Sequence, residues 1–509
     1  MSQQLSERIR AVLALDPPAP AIEYQGAWSS WQALAAVAAE VQGQLAAAGL
    51  GEGCAVGLVL RNHPAMVGAM LGVLLAKGCV VTLNPSHGDA GLVSDIRELR
   101  LPALIALDIE WRRPGVLDAA VGAMGLRVAI DPAGCQLVTG LQRPGSGPFR
   151  DQPSGTDPIA VEMLTSGTTG PPKRIPLSYR SFEHTLGAAG AHYSSGERPP
   201  LRLRSGVAIV CSPLVHMSGL FRTLLNVCEG RKIALLDRFR VPEFVDLVVR
   251  HRPRAVSLVP SALAMVLDAK IAPEVFAGVE VVTSGTAHLP VDVQEAFEER
   301  YGVAVLPSYG ATEFAGGVAG WNLALHREWA QTKRGSVGRP QQGREVRIMS
   351  LEGDTELPTG VQGRIDVRTT GGDWVRTTDL GRVDADGFVF VDGRIDDVIV
   401  RGGFKVTPSD IVDVLRNHPT VRDAGVTGIP DARLGHVPVA AVELVDGGSA
   451  TSDELLSYVR DRVNGYQVPA RLVIVGELPR TPSLKVSQPG LRALFADVQN
   501  QDVQKEVRA

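Results

Sequence analysis

The stretch CAVGLVLRNHPAMVGAMLGVLLAKGCVVTLNP, from Cys54 to Pro85, constrains the fold more than any other. A short β-rich run opens it, a longer run with small residues follows, and a Val-rich run closes it at Asn84-Pro85. That order reads as strand, helix, strand. The apolar stretch from Pro64 to Ala76 stops at Lys77, short of the roughly 20 residues that span a bilayer. A strand–helix–strand unit implies a parallel sheet with helices on its faces. The pattern recurs in VAIVCSPL, MSGLFRTLLNVCEG and KIALLD, and again in AVSLVP, SALAMVLD and VEVVTSG. The expectation is a large α/β domain.

From about Gly335 the texture changes. GSVGRPQQGREVRIM, GRIDVRT and GFVFVDGRIDDVIVRGG alternate and turn at Gly and Asp-Gly, which predicts a small antiparallel, barrel-like layer. After Gly402-Gly403, KVTPSDIVDVLRNHP predicts a helix. Thr407 suits its N-cap, Pro408 its first turn, and Asp410 a capping-box-like pair with Thr407. Ile411, Val414 and Leu415 give its apolar face, and Pro419 stops it. VPVAAVEL and DELLSYVRDRV add a strand and a helix. The expected fold is thus α/β: a large N-terminal domain of α/β sheets with the antiparallel layer, residues 1–395, and a small mobile α+β C-terminal domain, residues 396–509. A chain of 509 residues exceeds the ~250–300 that one core covers, which agrees with two domains.

The net charge of −4 and the absence of any Lys/Arg-rich run argue against nucleic acid as a partner. The five cysteines are scattered without CxxC spacing and read as reduced thiols in a cytoplasmic protein. MSQQLSERIRAVLALD reads as an amphipathic helix rather than a secretory signal, and the polar tail DVQNQDVQKEVRA is expected to fray.

The loop TSGTTGPPK, Thr165 to Lys173, is not a Walker A motif, because two prolines separate Gly170 from the lysine. Its ingredients still suit phosphate. Gly167 and Gly170 allow close backbone approach. Thr165, Ser166, Thr168 and Thr169 bring hydroxyls and N–H groups that can wrap an anion, and Lys173 brings a point charge. The ordered loop resembles the phosphate-binding loop of the adenylate-forming superfamily, most like its acyl-CoA synthetases. PLVHMSG (Pro213–Gly219), VVTSGTAHL with FEERYG, SYGATE (Ser308–Glu313), WVRTTDLG, GRIDDVIVRGGFKVTPSDI and LPRTPSLKV continue the resemblance in order over roughly residues 160 to 490.

The resemblance implies a two-step reaction. A carboxylic acid attacks the α-phosphate of ATP to give an acyl-adenylate and pyrophosphate, and coenzyme A then displaces AMP. Both steps gather negative charge, so such a site needs cations and donors more than a nucleophile. By resemblance, Thr165, Ser166, Gly167, Thr168, Thr169 and Lys173 hold the ATP phosphates. Tyr309 stacks beside adenine with Gly310 and Ala311, Thr312 bonds a phosphate oxygen, and Glu313 helps hold Mg²⁺, a hard ion that keeps waters and phosphates in its shell. Asp379 accepts from the ribose hydroxyls and Arg394 reaches ribose or phosphate. Lys485 bridges the carboxylate and the α-phosphate. His216, Ser284, Gly285, Thr286 and Gly310 border the acyl group and nucleotide. Asp396 is the hinge, whose rotation withdraws Lys485 and opens a thiol path along Gly402-Gly403.

Several positions depart from the family pattern. Arg174 replaces a common Gly, Ser178-Tyr179 a frequent Thr-His, Thr378 the Gly before Asp379, Leu484 the Gly before Lys485, and His436 a common Glu; VSQPGLR lacks an Arg pair. Lys485, Glu313, Asp379 and Arg394 are retained. The leading expectation is therefore an AMP-forming acid–CoA ligase with ATP, Mg²⁺ and coenzyme A. The alternatives are an acyl-AMP ligase that loads an acyl-carrier protein and a non-catalytic binder of nucleotide or acyl-adenylate. ATEFAGGVAG, small after Glu313, hints at room for an aryl or medium acyl chain.

Overall fold

A computed structural model describes residues 3–139, 141, 157–164, 173–193, 201–369, 372–431, 433–482 and 484–496. The chain forms two compact units. One comprises the described residues before Lys333 together with Gln341–Gly343; the other comprises Lys333–Pro340 and the described residues from Arg344 onward.

In the first unit the expected strand–helix–strand units are present. Ala55–Val59 and Cys79–Leu83 pair in parallel, with Pro64–Leu75 as the helix between them. Every residue of that helix is buried, which is why it is apolar all round rather than striped. His63 caps it, its Nδ1 accepting from the Ala65 N–H at 3.2 Å, and Pro64 fits the first turn. The sheet runs Ala133–Leu137, Met124–Ile130, Ala103–Ala106, Ala55–Val59, Cys79–Leu83, Ile159–Leu164, Arg174–Ser178. Its outermost pairings at both edges are antiparallel.

A second sheet orders Arg204–Val210, Arg231–Leu235, Pro20–Tyr24 and Ala27–Ser30. The first two are the parallel strands that flank the helix Met217–Cys228. A third runs through Ala255–Ser257, Val281–Ser284, Ala304–Ala311 and Gly316–Gly320. Its first three strands are parallel and the fourth, Gly316–Gly320, returns antiparallel. The N-terminal helix Gln3–Leu13 buries Leu5, Ile9, Val12 and Leu13 in the same core as the apolar helix. Each such side chain contributes about 1.5–3 kcal/mol. No helix among the described residues is long and apolar enough to cross a membrane.

The second unit contains the antiparallel layer, Arg344–Met349, Gly363–Thr369, Val375–Val383 and Val389–Arg394 in sequential order. It also contains a mixed sheet. Phe404–Val406, Ile399–Arg401, Gly435–Leu444 and Val421–Asp431 pair antiparallel, and Arg471–Val475 adds in parallel beside Gly435–Leu444. The helix Pro408–Arg416 forms as expected, with Ile411 and Leu415 fully buried. Thr407 stands at its N-cap, but its side chain makes no capping bond, so the expected Thr407–Asp410 pair does not form. The capping box lies instead at Ser452–Arg460, where Thr451 and Glu454 satisfy each other's backbone N–H groups. The polar tail lies outside the described residues.

Candidate active site

In the first unit, chemistry-bearing residues collect where parallel strands end. Arg204–Val210 runs into Cys211-Ser212-Pro213, and the buried Asn62 holds this turn. Its amide donates to the carbonyls of Ser212 and Leu236 at 3.1 and 2.8 Å and accepts from the Leu214 N–H at 2.7 Å. His216 then occupies the N-cap of Met217–Cys228 without a side-chain cap bond. Gly219 is required here: a Cβ would sit 2.2 Å from the Pro213 carbonyl oxygen. The Cys211 thiol donates to the Ser257 carbonyl at 3.5 Å, and Arg222 donates from Nη2 to Thr283 Oγ1 at 2.9 Å. These bonds tie the helix and its entry turn to the ends of Ala255–Ser257 and Val281–Ser284.

Ser284, Gly285 and Thr286 leave that last strand. Ser308 Oγ donates to the Ser284 carbonyl at 3.2 Å, whereas the buried Ser284 Oγ has no hydrogen-bond partner among the described residues. Such an orphaned hydroxyl suits a ligand that bonds to it. Thr286 adopts a left-handed conformation, φ 73°. Tyr309, Gly310 and Ala311 lie at the end of Ala304–Ala311, Thr312 and Glu313 on the 3₁₀ turn after it, and the chain returns along Gly316–Gly320. Gly310 is needed for this hairpin, since a Cβ would meet the Gly316 carbonyl oxygen at 2.3 Å. Phe314 and Ala315 are buried, which leaves Tyr309 and Thr312 half-buried and Glu313 exposed. The structure thus brings Ser284, Gly285, Thr286 and Tyr309 to Glu313 onto adjacent strand ends. The helix capped by His216 packs close by through Phe221, 3.6 Å from where a Gly316 Cβ would lie.

Among the described residues no three His, Cys, Asp or Glu side chains cluster to hold a metal. A lone carboxylate such as Glu313 fits Mg²⁺, which usually takes one or two carboxylates with substrate phosphates and water. The loop residues Thr165, Ser166, Gly167, Thr168 and Thr169 lie outside the described residues. Lys173 is exposed at the start of Arg174–Ser178. Arg174 donates to the Thr82 carbonyl at 3.1 Å, and the buried Tyr179 donates from its hydroxyl to the Gly78 carbonyl at 2.7 Å. Arg174 thus ties the edge strand to its sheet, and Tyr179 ties the start of the following helix, Tyr179–Tyr193, to the turn before Cys79–Leu83.

The second unit carries the other expected groups. Asp379 and Arg394 face each other across the antiparallel pair Val375–Val383 and Val389–Arg394. Arg394 makes a bidentate pair with Asp396, Nε to Oδ1 and Nη2 to Oδ2, both 2.9 Å, and also donates to Thr378 Oγ1. Thr378, in the usual place of a glycine, thus helps fix the guanidinium. Burial works to lower the Arg394 pKa, but the bond to Asp396 and the charges of Asp379, Asp396 and Asp397 outweigh it and raise the value.

Lys485 sits on a tight turn. The Thr481 N–H donates to the Lys485 carbonyl at 2.8 Å and the Leu484 N–H to the Thr481 carbonyl at 2.8 Å. Leu484 takes the left-handed conformation, φ 63°. Arg480 anchors the turn on the buried carboxylate of Asp423 at 2.7 Å, which Arg416 also holds. Burial lowers the Lys485 pKa, the positive charge of Arg394 lowers it further, and Asp379 opposes them. Lys485, Arg394 and Asp379 therefore feel one another's fields.

Gly402 and Gly403, φ 57° and 90°, form the two-residue turn between Ile399–Arg401 and Phe404–Val406. Positive φ at both central residues is the two-residue turn that Gly-Gly, like Asn-Gly or Asp-Gly, closes readily. The Gly402 N–H donates to the Leu434 carbonyl at 2.8 Å, and His436 is exposed just beyond. Sequence reasoning missed Asn62, Arg222, Ser308 and the Arg480–Asp423–Arg416 anchor. Asn62 left a weak signal, a polar residue in the tight RNHP link between a buried strand and a buried helix; the others left none.

A family model described as AMP-binding enzyme matches residues 9–372, and one described as AMP-binding enzyme C-terminal domain matches residues 411–485. 4-Coumarate–CoA ligase 3 of Oryza sativa subsp. japonica is 29% identical over 475 residues, covering 88% of this chain and 84% of that protein. 2-Succinylbenzoate–CoA ligase of Bacillus cereus is 30% identical over 354 residues, covering 66% of this chain and 70% of that protein. The crystal structure of ATP-bound MatB from Rhodopseudomonas palustris superposes with a TM-score of 0.82 at 24% identity, over 98% of this chain and all of that one, which is a likeness of fold.

Proposed function

The chain belongs to the AMP-binding enzyme family, and we propose from that premise that it activates a carboxylic acid with ATP and passes the acyl group to coenzyme A. The carboxylate oxygen attacks the α-phosphorus, the bond to the bridging oxygen breaks, and pyrophosphate leaves. The sulfur of coenzyme A then attacks the acyl carbonyl carbon, its proton passes to solvent, and AMP leaves.

The observation that carries this reading is Lys485, held on a strained turn within the fields of Arg394 and Asp379. A cation there offsets charge on the incoming carboxylate and the α-phosphate together. Arg394, fixed by Asp396 and Thr378, adds a second preorganised donor. Asp379 accepts from the ribose hydroxyls. Tyr309 stacks on adenine beside Gly310 and Ala311, and Thr312 donates to phosphate. Glu313 would hold Mg²⁺, which when bound supplies charge neutralisation at the phosphates. The phosphate loop from Thr165 to Thr169, with Lys173, takes the pyrophosphate end. His216, Ser284 and Gly310 border the acyl group, and Gly402-Gly403 guide the thiol. Asp396 serves as hinge at a 395/396 domain boundary.

The acid is aryl-bearing in this reading, supported by the two ligase relatives and by the small residues after Glu313. A cytoplasmic setting is supported by five cysteines without a disulfide, four of them buried.

The test is pyrophosphate release with ATP, Mg²⁺ and a panel of short, medium, long and aryl carboxylates, each with and without coenzyme A. Joint formation of AMP, pyrophosphate and acyl-CoA, fastest with an aryl acid, is expected. Acyl-adenylate without any CoA product would overturn the acceptor in favour of a carrier protein. No pyrophosphate from any acid would overturn catalysis.

A further inference from the structure

From the geometry of the strand ends we infer that Arg222 determines specificity, by selecting an acid that carries a second carboxylate at the end remote from the reacting one. This rests on the reading above, in which the acyl group lies beside His216 and Ser284.

Arg222 stands on the helix Met217–Cys228, six residues after His216. The helix packs into the core through Gly219, Leu220, Thr223, Leu224, Val227 and Cys228. Arg222 is half-buried beside that face and reaches across to Thr283, the residue before Ser284. Its guanidinium thus lies where Arg204–Val210, Ala255–Ser257 and Val281–Ser284 end, the first of these in one sheet and the other two in another. In open α/β sheets, ligands bind in the crevice outside the carboxyl ends of the strands.

The bond to Thr283 does not by itself require a cation. Thr283 Oγ1 already lies 3.4 Å from the Val256 carbonyl oxygen, so its hydroxyl has a partner without Arg222. A leucine or valine would extend the apolar packing made by Leu220, Leu224 and Val227. Partial burial of a guanidinium costs free energy that such a residue would avoid. A planar fork is, however, the group that recognises a carboxylate with two parallel bonds. Its field is also felt in the crevice: burial pushes the Cys211 thiol up to about 11, and the Arg222 charge acts against that rise. Ser284 Oγ, buried with no partner among the described residues, supplies a neutral donor one residue beyond Thr283.

The test compares matched acids with and without a distal carboxylate: benzoate with terephthalate, cinnamate with 4-carboxycinnamate, and hexanoate with adipate. ATP–pyrophosphate exchange gives kcat/KM for each. The intact protein is expected to favour the diacid in at least one pair by about 10- to 100-fold, the range for a hydrogen-bonded charge. Arg222→Leu is expected to reverse that preference, and Arg222→Lys to keep part of it. The same diacid-to-monoacid ratio in the Arg222→Leu protein, or monoacids favoured throughout by the intact protein, would overturn the assignment. Calorimetric binding of the same acids without nucleotide separates this from the reaction itself. If no acid supports exchange, the catalytic reading fails. Tighter diacid binding that Arg222→Leu abolishes then still supports Arg222, and no diacid binding overturns it as well.

Discussion

Leu484 holds a left-handed backbone conformation, φ 63°, immediately before Lys485. An L-residue there costs roughly 1–2 kcal/mol, and glycine would return roughly half of that after its own extra chain entropy. Both truncations lose the packing of the half-buried side chain, but only glycine relieves the backbone, so Leu484→Gly is expected to be more stable than Leu484→Ala by about 0.5–1 kcal/mol. Leu484→Ala keeps the penalty, loses packing and should lower stability. Denaturant midpoints of the two variants decide it, and a less stable glycine variant would refute the strain. Lys485 itself gives a pH prediction. Its folded pKa is lowered from 10.5, so adenylation that needs the ammonium should fall on the alkaline side below that value. Asp379 opposes the shift, so Asp379→Asn should move the alkaline limb of kcat/KM to lower pH still, and an unmoved limb would disprove the coupling. The unfolded chain binds more protons than the folded one between the lowered value and 10.5. This group's contribution therefore makes stability rise with pH across that window. At this scale the sequence exposed the departures but not their reasons. Tyr179 replaces a family histidine, yet its hydroxyl bonds to Gly78, a residue distant in sequence. No local pattern encodes that contact.

Elements differ in how plainly their chemistry could be read. The strand–helix–strand units were legible because a buried helix and two buried parallel strands each leave a distinct apolar run. Val421–Asp431 was not. It contains Gly425, Gly428 and Pro430, all turn-formers, and is a strand because Gly435–Leu444 pairs along its length. The helix caps show the same limit. Thr407 and Thr451 look alike in sequence, but only Thr451 bonds to its helix. Thr451→Ala should cost about 1 kcal/mol and Thr407→Ala distinctly less. Equal losses in urea melts would refute the distinction. The turn between Pro213 and Gly219 links element to function. A methyl group on Gly219 would press on the Pro213 carbonyl and displace the cap at His216. Gly219→Ala should reduce kcat/KM for the acid by about tenfold or more, since small misplacements at a site are costly. ATP affinity, measured by calorimetry, should change little; a loss confined to ATP would contradict the placement of His216.

At the scale of the molecule, the candidate residues divide between two units, and each set is internally organised. Strand ends and the 3₁₀ turn order Ser284 to Thr286 and Tyr309 to Glu313 in one. A pair of strands and the anchored turn order Asp379, Arg394 and Lys485 in the other. Motif order along the chain was enough to nominate these residues. It could not reveal Arg222 or Asn62, because their partners come from separate strands. In the proposed reaction the second unit also supplies two devices for successive chemical steps. The turn at Lys485 presents a cation, needed while charge builds at the α-phosphate. The hairpin at Gly402-Gly403 presents bare backbone, which suits passage of a thiol and offers no charge to phosphate. The two steps should therefore fail separately. Lys485→Ala should slow pyrophosphate release by about 100-fold or more, in the range for loss of a preorganised charge-stabilising donor. It should still form thioester when supplied with the acyl-adenylate and coenzyme A. Gly403→Val places a branched residue at φ 90°, a conformation it cannot adopt without strain. That variant should retain pyrophosphate release and lose thioester formation, with melting temperature measured alongside to separate a bent hairpin from an unfolded domain. If both variants slowed both steps equally, the division of labour between lysine turn and glycine hairpin would be wrong. If Gly403→Val spared the first step while Lys485→Ala slowed both, the hairpin would be assigned to thiol transfer and Lys485 to both.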